Sequence, residues 1–207
     1  MNEGIVIVFQ LVVLIFSVMV HEISHGAMAL KLGDTTAKDA GRLTLNPVKH
    51  IDPFGSVILP LLMALPALFG GPVGPIFGWA KPVPYNPWNL KNPKAGAGII
   101  AAAGPLSNLT IAAVFGVLAR FAAEGGALLG LFQLVILINI SLAFFNLIPI
   151  PPLDGSNILF AFFPDRSHAF RAFLTRYGLF ILLAYIFFGF PLLGSAVEFF
   201  YRLFTGA

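Results

Sequence analysis

Residues 5–20 contain no charged side chain and, apart from Gln10 and Ser17, only apolar ones; the run stops on His21-Glu22. As a helix this run covers roughly 24 Å, most of an apolar bilayer core about 30 Å thick. His21 then lies deep, in the last third of the crossing. The start, Met1-Asn2-Glu3, lacks the positive charge of a secretory signal, and no small-residue cleavage site closes the run. The expectation is a retained helix from Gly4 to Leu32, stopped by Gly33-Asp34.

Composition says what surrounds such a helix. Of 207 residues, 58% are hydrophobic and 10% charged, against about 25% charged in an ordinary soluble domain. A soluble fold of this size cannot keep so much apolar surface away from water, so the expected solvent is lipid. The predicted fold is an all-α polytopic helix bundle of about four to six transmembrane segments, forming one integral-membrane domain over residues 1–207. The net charge of +3 does not point to nucleic acid, because the basic residues lie in gaps between apolar runs rather than among aromatics in a polar domain. There they mark cytoplasmic loops.

Lys31, Lys38, Arg42 and Lys49 follow the first helix and predict a cytoplasmic loop with the N-terminus outside. Residues 54–77 are apolar but broken by Pro60, Pro66, Gly70-Gly71-Pro72 and Gly74-Pro75, and Lys81, Lys91 and Lys94 come next. Basic residues on both sides favour a re-entrant or hairpin segment near 54–86 over a single crossing; such backbone needs protein or water to cover it. Gly78–Asn86 reads as an extended strand or loop near the surface. Ala95–Ala123, rich in Ala and Gly, suits close helix packing. Glu124-Gly125-Gly126 turns the chain into Ala127–Ile148, which Pro149-Ile150-Pro151-Pro152 breaks. A short helix is predicted from Gly155 to Phe163 and a last span over Phe170–Phe190. Pro191 and Gly194 interrupt it before a terminal helix over Ser195–Phe204.

The chemistry sits in His21-Glu22-Ile23-Ser24-His25. On a helix, residues four apart share a face, so two imidazoles can bind one zinc ion while the adjacent Glu reaches water on it. The pattern is built from a chain with only four His. Burying a charged Glu in a membrane costs about 2.5 kcal/mol or more, a cost seldom borne without function. The bland alternative is a polar patch at the mouth of a bundle. With no cysteine, any metal must use His, Asp or Glu. Two His leave a catalytic zinc one ligand short, and Asp154, just past the Pro-rich break, is the candidate; from spacing alone it is equally a helix N-cap. An even number of crossings between His25 and Asp154 returns the latter to the same side. His50 and His168 read as solvated interfacial residues, and Trp79, Trp88 and Tyr85 as interface anchors.

His21-Glu22-Ile23-Ser24-His25-Gly26, together with Asn146-Leu147-Ile148-Pro149-Ile150-Pro151-Pro152-Leu153-Asp154-Gly155, resembles the site-2 protease family of intramembrane zinc proteases. Gly104-Pro105-Leu106-Ser107-Asn108 and Gly78-Trp79-Ala80-Lys81-Pro82-Val83-Pro84 are similar to that family too. The resemblance implies His21, His25 and Asp154 as zinc ligands, Glu22 as base, and substrate contact at Asn146, with Asn108 a second such candidate. It implies a minimal form without PDZ or CBS domains, cutting a membrane-protein substrate helix from the cytoplasmic side of a prokaryotic plasma membrane. The substrate must unwind locally or pair as an extended strand beside Gly78–Asn86. A transporter or channel using the same intramembrane His, Glu and Asp is the alternative function.

Overall fold

The computed structural model describes residues 3–58, 61–62, 65, 80–164, 167–188 and 190–206. Its long helices are α1 (Glu3–Lys31), α3 (Pro93–Ala119), α4 (Ala127–Asn146), α6 (His168–Phe188) and α7 (Phe190–Thr205). Two short ones, α2 (Thr36–Asp39) and α5 (Asp154–Phe162), lie between them, and residues 61, 62 and 65 are also helical. Among the described residues four helices, α1, α3, α4 and α6, are long and apolar enough to cross a membrane. Among the described residues there is no β-strand. The protein is an all-α polytopic membrane protein. Most of the predicted re-entrant segment near 54–86 lies outside the described residues; within it, Pro53–Ile58 forms a π-helical turn and residues 80–86 run as irregular chain.

The ends of these helices follow local chemistry. Gly33, at φ 104°, closes α1: the Asp34 N–H reaches back to the Ala29 carbonyl (2.9 Å) and the Gly33 N–H to that of Leu30 (3.1 Å). This is a Schellman cap, which only a residue free of a Cβ forms without strain. At the start of α3, the Asn92 side chain accepts from the Ala95 N–H with Pro93 in the first turn, satisfying donors that lack an intrahelical partner. The last span ends at Phe188, close to the expected break, and α7 starts at Phe190 rather than Ser195: Pro191 falls in its first turn, where its missing N–H costs nothing, and Gly194 does not interrupt it.

α3 is the central element, packed against α1, α4 and α5. It can be central because its buried face is small. A Cβ at Gly98 would meet Ala161 at 2.5 Å, and one at Gly116 the Phe204 carbonyl at 2.7 Å. Lipid is as apolar as leucine, so such close backbone approach, rather than escape from water, holds these helices together. On its far side α3 joins α4 and α7 in a core of Ala112, Ile136, Ile140, Leu193 and Val197. Among the described residues, α3 and α4 lie between His25 and Asp154 in the chain, and the two residues meet at one place in the bundle.

Candidate metal centre

His21 and His25 project from one face of α1, one turn apart, their rings edge-to-face at 4.6 Å between centroids. Asp154 reaches them from another part of the chain. The Pro149–Pro152 break turns the backbone out of α4 and starts α5 at Asp154. Gly155 makes this turn possible, since a Cβ there would run into the Leu147 and Ile148 carbonyls. The side chain does not cap its helix: the N-cap position belongs to Leu153. Instead Asp154 Oδ2 lies 3.0 Å from His21 Nε2 and 3.2 Å from His25 Nε2.

One donor atom from each of these residues lies within 4.8 Å of the others. Bonds of 2.0–2.2 Å to a tetrahedral zinc put its ligands roughly 3.3–3.5 Å apart, so the three fit that ion with little adjustment. Space for it is reserved by Gly104. A Cβ on that residue would stand 2.5 Å from His25 Nε2 and 2.6 Å from His21 Nε2, inside the centre.

The far ring nitrogens are also held. His25 Nδ1 donates to the Ile100 carbonyl at 2.7 Å. His21 Nδ1 donates to Asn108 Oδ1 at 2.7 Å. With both protons on Nδ1, both Nε2 lone pairs face the centre, the form in which imidazole binds metal. Asn108 is fully buried behind His21, so the structure places it on the ligand rather than on a face open to substrate. Asn146 ends α4 half-buried, its amide donating to the Leu142 carbonyl (2.9 Å). Its side chain is not brought to hydrogen-bond distance of the three donors.

Glu22 lies beside the centre, and its Oε2 accepts from the Val83 N–H at 2.8 Å. Segment 80–86 reaches α1 because Gly26 has no side chain: a Cβ there would meet Val83 at 2.8 Å and Leu43 at 2.7 Å. Arg42 grips the Lys81 and Pro82 carbonyls. The strand pairing expected beside this segment has few donors to use. The Lys81, Val83 and Asn86 N–H groups are bound to His50, Glu22 and Asp34, and residues 82 and 84 are prolines. His50 is another departure. It is buried rather than solvated, its Nε2 donating to the Thr44 carbonyl at 2.9 Å. His168 is exposed, as expected, and Trp79 lies outside the described residues. Sequence reading also passed over Asn139, fully buried in α4, whose Oδ1 accepts from Asn108. The available signal was an amide in the middle of an apolar span.

A helical membrane bundle carrying a three-donor centre next to a glutamate defines a class, and similarity to known proteins narrows it. The model of peptidase family M50 matches residues 119–185, which include Asp154 and the Pro-rich break. YwhC of Bacillus subtilis, named as a zinc metalloprotease, is 37% identical over 84% of this chain and 78% of its own length. Rip2 of Mycolicibacterium smegmatis, named likewise, is 31% identical over 70% of this chain and 53% of its own. No solved structure gives a significant match. The chain belongs to peptidase family M50, the site-2 protease family that its motifs resemble. It is an integral-membrane metallopeptidase dependent on zinc, and the transporter or channel alternative falls with that finding.

Proposed function

We propose that this chain hydrolyses peptide bonds in transmembrane or membrane-proximal segments of other membrane proteins, with His21, His25 and Asp154 holding the zinc and Glu22 as general base. The observation that carries this reading is the convergence of one Asp154 oxygen on both Nε2 atoms, at 3.0 and 3.2 Å, from 133 and 129 residues away in sequence.

Bound zinc lowers the pKa of water toward about 7 and polarises a carbonyl. The chain's own groups do the rest. Val83 N–H anchors Oε2 of Glu22, leaving Oε1 to take the proton of the attacking water and pass it to the leaving amine. We assign substrate contact to Asn146 on the family resemblance, which its position at the end of α4 beside the Pro-rich break supports. The centre sits where α1, α3 and α5 converge within the apolar part of the chain, so the substrate helix must expose its carbonyls by unwinding. An extended peptide would have to use main-chain groups of residues 80–86 other than the Lys81, Val83 and Asn86 N–H and the Lys81 and Pro82 carbonyls, which are already bonded. We read residues 1–207 as one domain, since helices from both halves build one centre. The basic residues between α1 and α3 support a site facing the cytoplasm, and the bacterial relatives support a prokaryotic plasma membrane.

The test is cleavage of a model membrane peptide together with metal content. Glu22→Gln is expected to keep zinc and lose about 10²–10⁴-fold in rate. Asp154→Ala is expected to lose both. A Glu22→Gln chain that still cleaves at the parental rate would sink the assignment.

A further inference from the structure

The two histidines are oriented by unlike means. His25 Nδ1 is fixed by a main-chain carbonyl, which cannot turn over. His21 Nδ1 is fixed by the side-chain amide of Asn108, whose two ends are nearly equal in size, so packing does not choose between them. Were that amide reversed, its NH₂ would face His21 Nδ1. The ring would then carry its proton on Nε2 and present no lone pair to a metal.

Hydrogen bonds behind Asn108 make the choice. Its Nδ2 donates to Asn139 Oδ1 at 2.9 Å and, less closely, to the Ser17 carbonyl at 3.2 Å. Asn139 is itself set one way round, because its Nδ2 donates to the Val135 carbonyl at 2.9 Å. The relay runs from the Val135 carbonyl through two amides to His21, and it joins α4, α3 and α1. Reversing Asn108 would aim its oxygen at two other acceptors. Both asparagines are fully buried, and an amide in an apolar interior is costly unless it is bonded.

We propose that Asn139 is a positioning residue for the metal centre: by fixing the amide of Asn108 it fixes the ring orientation and tautomer of His21. The inference rests on the metalloprotease reading.

Zinc affinity by chelator competition, paired with thermal unfolding of the zinc-free protein in detergent, tests it. Asn139→Leu keeps the bulk and removes the acceptor. It is expected to hold zinc about 10–100-fold more weakly, a loss larger than its lowered zinc-free stability accounts for. Asn139→Ala leaves Asn108 in the same state and carries the same expectation. In Asn139→Asp a buried, neutral carboxylic acid accepts from Asn108 and donates to Val135, so affinity should return to near the parental value. The inference is overturned if Asn139→Leu and Asn139→Ala bind zinc as tightly as the parent. It is overturned equally if their zinc loss only tracks a lowered zinc-free melting temperature, or if folded Asn139→Asp binds as weakly as they do. A parent chain that binds no zinc overturns this inference together with the reading beneath it.

Discussion

At the scale of the residue, Gly104 shows how little room the centre has. Nothing about its backbone demands glycine; the demand comes from the two imidazoles 2.5–2.6 Å from where a Cβ would stand. A methyl group there overlaps the volume of the ion and of the Nε2 atoms. Gly104→Ala is therefore expected to lower zinc affinity by at least about tenfold, on the scale of other changes next to metal ligands. The chain should still insert, since alanine is the better helix former. Metal analysis of purified protein checks this, and parental zinc content in the variant would contradict it. The same reasoning explains why the motif around Gly104 could be recognised in the sequence but not understood there. Its neighbours in space are 79 and 83 residues away along the chain.

At the scale of the element, α1 and the segment after residue 79 are joined by a latch outside the membrane. Asp34 is fully buried and accepts from the Thr36 N–H and hydroxyl, the Asn86 N–H (2.7 Å) and the Asn89 amide (2.7 Å). Burial pushes its carboxyl up, but the bonds from Thr36, Asn86 and Asn89 outweigh that and hold it below the usual carboxylate range. A lowered folded-state pKa means that this stabilisation is complete above the unfolded value of about 3.9 and fades as pH falls through the folded one. Asp34→Ala is expected to cost about 1–3 kcal/mol at neutral pH. It should also flatten the acid limb of thermal stability measured from pH 6 down to 3. An unchanged acid limb would mean the latch contributes nothing. Helix positions themselves were legible in the sequence, because Gly33, Asn92 and the Pro-rich break act on their immediate neighbours. The contact of Asp34 with residues 86 and 89 was not, because it depends on where a distant turn comes to rest.

At the scale of the whole molecule, the orientation we propose in the bilayer is argued from charge. Lys31, Lys38, Arg42, Lys49, Lys81, Lys91 and Lys94 all lie between the site end of α1 and the first turns of α3, whereas the turn between α3 and α4 carries Arg120 and Glu124. The chain has no cysteine, so single cysteines report topology without a background. Lys38→Cys should react with an impermeant maleimide only when the cytoplasmic face is open, and Glu124→Cys in intact cells. Labelling of both from one side would refute the arrangement.

By itself, the sequence determined the lipid setting, the long helices, the two histidines on one face, and the family. Each of these depends on residues close together in the chain or on overall composition. The tertiary structure alone decided that Asp154 meets both imidazoles instead of capping α5, that Asn108 stands behind His21, that Asn139 stands behind Asn108, and that Val83 holds Glu22. These contacts link positions between 31 and 133 residues apart. They depend on the register at which packed helices settle, and that register is set by the small residues of α3 acting together rather than by any local pattern.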